Sequence, residues 1–216
     1  MARRDDVVAE AVRLLCEEGP GALTSVQVAA GLGVAQSAIY RHIRDMDELT
    51  AIASRTVVAE LNSLLRAMVL APQNAWNRPG AIHRFGQLFT DTAIDRSTTF
   101  ATVDRWRYVD GELGDGIRQL LAEGRELIAL VLESRWRSGY GQTRPLDDHE
   151  TRVQRLHAQL MQDDMIAVAR LARSEPHRRD AVGSLAIQRL RAGWFAYVRD
   201  LNESHGLGAP ELEWTS

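Results

Sequence analysis

The sequence predicts an all-α fold, and three observations carry the prediction. Apolar residues recur at intervals of three and four through five stretches, the repeat of one helix face. Clusters of glycine and proline separate those stretches, at 19–21, 31 and 33, 72–79, 111–116, 139–145, 176 and 206–210. The one threonine-rich piece with strand character, 97–103, has no second strand to pair with.

Taken in order, the first stretch is 5–18, with Val8, Ala11, Val12 and Leu15 as its stripe, and Gly19-Pro20-Gly21 ends it. Two short helices follow within 24–44. The stretch 46–70 carries Leu49, Ile52, Ala53, Val57, Leu61, Leu64, Leu65 and Met68. The strongest stripe runs through 112–138, from Leu113 and Ile117 to Leu132 and Trp136. A fourth stretch, 147–174, has Val153, Leu156, Leu160, Met161, Met165 and Val168, and a fifth, 178–204, has Val182, Leu185, Leu190, Trp194, Tyr197 and Leu201. Helices are short before Asp45 and long after it. That change predicts a three-helix head at 1–46, a larger helical body at 47–206 and a tail at 207–216.

Composition narrows the function. The chain has 216 residues, 45% of them hydrophobic, and a formal net charge of -3. All 26 basic residues are arginine. The acidic balance argues against holding nucleic acid by bulk charge and leaves room only for a local basic surface. The single cysteine, Cys16, allows no internal disulfide and no cysteine-based zinc site. No apolar run of about 18 residues occurs, and the first residues lack the apolar core of a signal peptide, so a reduced, cytoplasmic protein without a membrane partner is expected. Enzyme signatures are missing: no glycine-rich phosphate loop, no His-Glu-x-x-His pair, no Gly-x-Ser-x-Gly elbow. The cluster Asp147-Asp148-His149-Glu150 points around a helix start and reads as an acidic first turn favoured by the helix dipole. No catalytic residue, metal or cofactor is expected.

The segment 23–44 carries the most information. Thr24 or Ser25 can cap a short helix whose inner face is Val28, Ala29 and Leu32. Gly33 suits the left-handed conformation of a tight turn, and Val34 plugs the core below it. Ala38 and Ile39 anchor the next short helix. Two short helices joined through such a glycine form a helix-turn-helix. The outward residues of the second helix fit groove reading: Gln36 for an adenine edge, Ser37 for several bases, Ala38 for a thymine methyl, and Arg41 for guanine or phosphate. Tyr40, His42 and Arg44 lie at the helix end, suited to phosphate contacts that position the helix. Residues 20–44 contain no Asp or Glu.

These residues resemble the DNA-binding head of the TetR family of bacterial repressors. The resemblance rests on Ala11, Leu15 and Glu18-Gly19, then Leu23-Thr24, Val28-Ala29, Leu32-Gly33-Val34, Ile39-Tyr40-Arg41-His42 and Asp47-Glu48-Leu49. It implies Thr24 on a phosphate, Gln36, Ser37, Ala38 and Arg41 toward bases, and Tyr40 and His42 on the backbone of a double-stranded operator. Two positions depart from the family pattern. Met46 stands where many members have a phosphate-holding lysine, with Arg44 as the candidate substitute, and Val26 replaces a polar or basic residue. Recognition would then lean on Gln36, Arg41 and the arm residues Arg3 and Arg4, which can enter a minor groove.

For the body, the resemblance implies effector binding and a homodimer. Two half-sites roughly 34 Å apart require a two-fold dimer, and the last two long helices are its expected interface, with Leu185, Ala192, Gly193, Trp194 and Tyr197 as contact residues. The small residues Ala181 and Ser184 lie on the same helix. The aromatics and methionines of the middle suggest a cavity for an apolar or aromatic effector: Met68, Phe85, Phe89, Phe100, Trp106, Trp136, Met161 and Met165, with His83, Arg105 or His157 for orientation. The expected function is a repressor that such an effector releases from its operator. The alternatives are a DNA-binding regulator controlled by a protein partner or its own concentration and, more remotely, a helical enzyme.

Overall fold

The structure is a computed structural model that describes residues 3–70, 76 and 80–208. Most of the expected break at 72–79, the end of the break at 206–210, and the tail from 209 onward lie outside the described residues. Among the described residues the chain forms α-helices and no strand: α1 (Arg4–Glu17), α2 (Ser25–Leu32), α3 (Gln36–Ile39), α4 (Met46–Val69), α5 (Ala81–Asp95), α6 (Ser97–Trp106), α7 (Glu112–Tyr140), α8 (Asp148–Ser174) and α9 (Arg179–Ser204). The chain divides into two compact units, Met1–Leu64 with Thr98–Leu120, and Leu65–Ser97 with Leu121–Ser216.

In the first unit, α1 buries Val7, Ala11, Leu14, Leu15 and Cys16. Its inner face is rotated from the expected stripe, because Val8 and Val12 are only half-buried. Desolvation pushes the Cys16 thiol above its ordinary pKa, so it behaves as a small apolar core group. The C-terminal end of α1 is held by α6. Arg105 Nη1 donates to the Glu17 carbonyl at 2.7 Å, supplying one of the acceptors' missing donors at that helix end. The Trp106 ring lies over Gly19, so close that a Cβ at this position would overlap the indole. Gly19 also has φ +97°, a conformation other residues rarely adopt.

The stretch 97–103, strand-like by composition, lies within helix α6. With no partner strand, a helix is the conformation that satisfies its backbone internally. Thr102, fully buried, donates its hydroxyl to the Thr98 carbonyl at 3.1 Å, so the threonine adds a bond within the helix instead of a sheet face.

In the second unit, α9 packs along both α5 and α8. One core cluster joins Ala129, Leu132 and Trp136 of α7 to Ala158 of α8 and to Tyr197, Val198 and Leu201 of α9. The indole of Trp136 is paired across helices, whereas the buried Tyr197 hydroxyl has no partner among the described residues. Trp136 Nε1 donates to Asn202 Oδ1 at 3.0 Å, and Asn202 Nδ2 donates to the Gly208 carbonyl at 3.0 Å. The acidic run at 147–150 opens α8 as expected. Asp147 Oδ1 accepts from the His149 and Glu150 N–H groups at 2.8 and 2.9 Å, and Glu150 Oε2 accepts from the Asp147 N–H at 2.8 Å. Glu150 is fully buried. Burial pushes its carboxyl up, but the Asp147 N–H, Arg144 and His205 together hold it below the usual range.

Asn202→Leu would leave the Trp136 indole N–H buried without an acceptor. The expected loss is about 1–3 kcal/mol of unfolding free energy in a urea titration. A midpoint equal to wild type would show that this bond does not hold the core.

Candidate nucleic-acid interface

The interface is built on α2, the turn at 33–35 and α3. Thr24 is the residue that caps α2: its Oγ1 accepts from the Gln27 N–H at 3.3 Å, which leaves its own hydroxyl hydrogen free to donate outward. α2 turns inward Val28 and Ala29, both buried. It ends at Gly33, whose φ of 64° and ψ of 33° are left-handed, and the Val34 N–H returns to the Ala29 carbonyl at 3.0 Å. This closed turn sets the direction in which α3 leaves.

α3 is anchored by Ile39, which is fully buried, and Ile43 just beyond it is 5% exposed. Gln36, Ser37, Tyr40 and Arg41 face outward, and Ala38 and His42 are half-buried. Of the expected base-reading residues, the structure leaves Gln36, Ser37 and Arg41 exposed and Ala38 half-buried. It also ties Gln36 to α2, since Gln36 Nε2 donates to Ser25 Oγ at 2.6 Å. Sequence reasoning treated Ser25 only as an alternative cap and missed this bond, which depends on how α2 and α3 meet.

The basic residues are more heavily neutralised than their spacing suggests. Arg3 lies 3.6 Å from Asp6, and Arg4 donates to Glu48 at 3.1 Å. Arg44 Nε donates to Asp45 Oδ2 at 2.7 Å, and its backbone N–H donates to Glu48 Oε2 at 2.7 Å. Asp45 also accepts the Glu48 N–H at 2.8 Å; this bond, helped by Arg44, lowers its pKa, so the carboxylate stays charged. Arg44 is thus shared with the carboxylate that opens α4, where Met46 stands in place of a lysine. The Arg-Arg-Asp-Asp start and the Arg44-Asp45 step were the available signals for this pairing.

The residues expected to serve an effector fall into separate groups. Phe100, Arg105 and Trp106 lie on α6, in the unit that contains the head, where Arg105 and Trp106 engage Glu17 and Gly19. Met68, Phe85, Phe89, Trp136, His157 and Met165 are buried in the other unit, Met161 is half-buried and His83 is exposed. Phe85 stacks between Trp76 and Phe89, with ring centres 5.1 and 6.1 Å away. His157 Nε2 is 2.8 Å from Asp200 Oδ2, the arrangement of a satisfied core histidine. A cleft of about 330 Å³ lies between α8 and α9, lined by His149, Val153, Asp200, Glu203 and Ser204, none of which was expected in an effector site.

Of the expected interface residues, Ala192 is exposed, and Leu185 and Trp194 are half-buried. Tyr197 is a correction: it is fully buried in the chain's own core and offers no surface to a partner. Gly193 lies against Met161 of α8 and also serves packing within the chain. Two leucines of the α8 stripe face outward instead, Leu156 at 56% and Leu160 at 52% exposure.

The pairing of Arg44 with Asp45 leads to a direct expectation. Asp45→Asn keeps an oxygen for the Glu48 N–H but removes the charge that competes for Arg44. Duplex affinity rises, and the slope of log K against log salt steepens by about 1, as for one added phosphate contact. An unchanged slope would exclude Arg44 as a phosphate-binding group.

Comparison with known proteins matches the geometry. Residues 7–51 match the model of the bacterial regulatory proteins of the tetR family. No curated protein sequence matches the chain. Among solved structures, a tetR-family transcriptional regulator from Streptomyces coelicolor is similar at 15% identity and TM-score 0.61, over 95% of this chain and 87% of that one. The Bacillus subtilis regulator FadR, in complex with stearoyl-CoA, is similar at 16% identity and TM-score 0.60, over 88% of this chain and 99% of that one. SmeT, the repressor of a multidrug efflux pump of Stenotrophomonas maltophilia, is similar at 15% identity and TM-score 0.52, over 94% and 90%. Residues 7–51 thus match the TetR-family head, and the chain has the fold of TetR-type transcriptional regulators.

Proposed function

We propose that the chain is a homodimeric repressor that reads a double-stranded operator with α3 and is released from it by a small apolar or aromatic effector. The observation that carries the DNA-binding part is the surface of α3. Gln36, Ser37, Tyr40 and Arg41 are exposed together on a helix that Ile39 anchors from beneath. Gln36 and Arg41 carry the donor and acceptor sets that distinguish base edges, and Tyr40, His42 and Thr24 supply groups for the phosphate backbone. Arg41 is exposed and has no ion pair among the described residues, so its guanidinium is available without breaking an existing bond.

The dimer is supported by what α8 and α9 expose. Leu156 and Leu160 stand one turn apart on α8, and Ala181, Ser184 and Ala192 are exposed on α9. Small residues let helices approach closely, and the leucines add apolar area to bury. Repression and effector release are supported by similar folds: SmeT is a repressor, and the Bacillus subtilis FadR holds stearoyl-CoA. In this reading the effector biases α4, which is one continuous helix from Met46 beside the head to Val69. An effector shifts operator binding only by its difference in affinity for the two states, typically ~1–3 kcal/mol.

Two measurements test the reading. The double variant Gln36→Ala with Tyr40→Ala is expected to lose specific binding to the promoter region beside its own gene in a mobility-shift titration, while keeping its helical circular dichroism. Retained binding would exclude α3 as the reading helix. Light scattering on a sizing column is expected to give a dimer for the wild-type chain and a monomer for Leu156→Glu with Leu160→Glu; a wild-type monomer at micromolar concentration would exclude the dimer.

A further inference from the structure

We propose that Ser25 is a positioning residue for base readout: its hydroxyl holds the amide of Gln36 in place, so that α3 presents one donor and one acceptor side by side. The inference rests on the assignment of α3 as the reading helix. It starts from the single side-chain bond between the two helices of the motif, Gln36 Nε2 to Ser25 Oγ at 2.6 Å. Ser25 is 7% exposed, at the first position of α2, where Thr24 already provides the cap. Its hydroxyl is therefore not needed to close the helix end and is spent on Gln36.

The chemistry follows from the amide. Nε2 carries two hydrogens. With one on Ser25, the other hydrogen and Oε1 remain, side by side on an otherwise exposed side chain. That pair matches the adenine edge in the major groove, where N7 accepts and the N6 amino group donates. The bond also limits the swing of the Gln36 side chain over the surface of α3. A free glutamine would lose that freedom on binding, at a cost that a preheld one has already met. Ala35, at the cap position of α3, makes no side-chain bond to the helix.

Selection of the full-length chain on a randomised duplex library, followed by sequencing, tests this. The wild type is expected to show a preference for adenine at one position, and Gln36→Ala reduces that preference by about 5- to 150-fold. Ser25→Ala reduces it by about 2- to 10-fold at that position alone, and Ser25→Thr, which keeps the hydroxyl, restores it. A Gln36→Ala profile that changes while Ser25→Ala matches wild type overturns the role of Ser25 and leaves α3 as the reading helix. A loss in Ser25→Ala spread evenly over all positions also overturns it, since that is the mark of a weakened head. A Gln36→Ala profile identical to wild type overturns both.

Discussion

Helix α3 has four residues, too few to persist in water on its own backbone bonds. Its existence depends on the burial of Ile39 beneath it, and most of the proposed DNA-facing surface depends on α3. Val28 and Ala29 of α2, Val7, Ala11 and Leu15 of α1, and Leu49 and Ala53 of α4 are buried in the same unit. Gly33 fixes the turn between α2 and α3, because only its left-handed backbone lets the chain reverse within so few residues. The reading residues need no packing role of their own. They are outward because the intervening residues are anchored inward.

The electrostatics of the head suit discrimination better than bulk attraction. Arg3, Arg4 and Arg44 each lie beside a carboxylate, so their long-range field is partly cancelled. A phosphate competing for Arg44 must take the place of Asp45, whereas Arg41 is free to engage directly. Contacts that require exchange contribute less to non-specific binding, which is driven by released counterions. In the proposed reading, specific hydrogen bonds from Gln36 and its neighbours then make up a larger share of the affinity.

The second unit relies on buried polar residues to align its helices. Gln154 on α8 donates to the Ala129 carbonyl of α7 at 2.8 Å, and Gln162 donates to the Leu121 carbonyl at 2.9 Å. Trp136 joins Asn202 across α7 and α9, and His157 joins Asp200 across α8 and α9. An apolar contact tolerates a slip of one helix along another. A hydrogen bond does not, because a slip leaves a buried group unpaired at about 1–3 kcal/mol. These bonds fix the register of the long helices.

The sequence by itself determined the helical class, the long stretches at 46–70, 112–138, 147–174 and 178–204, the left-handed turn at Gly33 and the outward set on α3. Each is set by local spacing or by the backbone freedom of one residue, and such signals survive without knowledge of the fold. The strand-like composition of 97–103 yields to a helix because threonine favours strands only where another strand is present. Tertiary structure alone decided that Tyr197 turns into the core while Leu156 and Leu160 turn out, since all three sit on plausible apolar stripes and only the neighbouring helices choose between faces. It likewise decided which side chains meet: Arg105 and Trp106 on the end of α1, Arg4 on Glu48, and Ser25 on Gln36. Those pairings join residues 11 to 88 positions apart, and no local pattern encodes a meeting that the packing of other helices brings about.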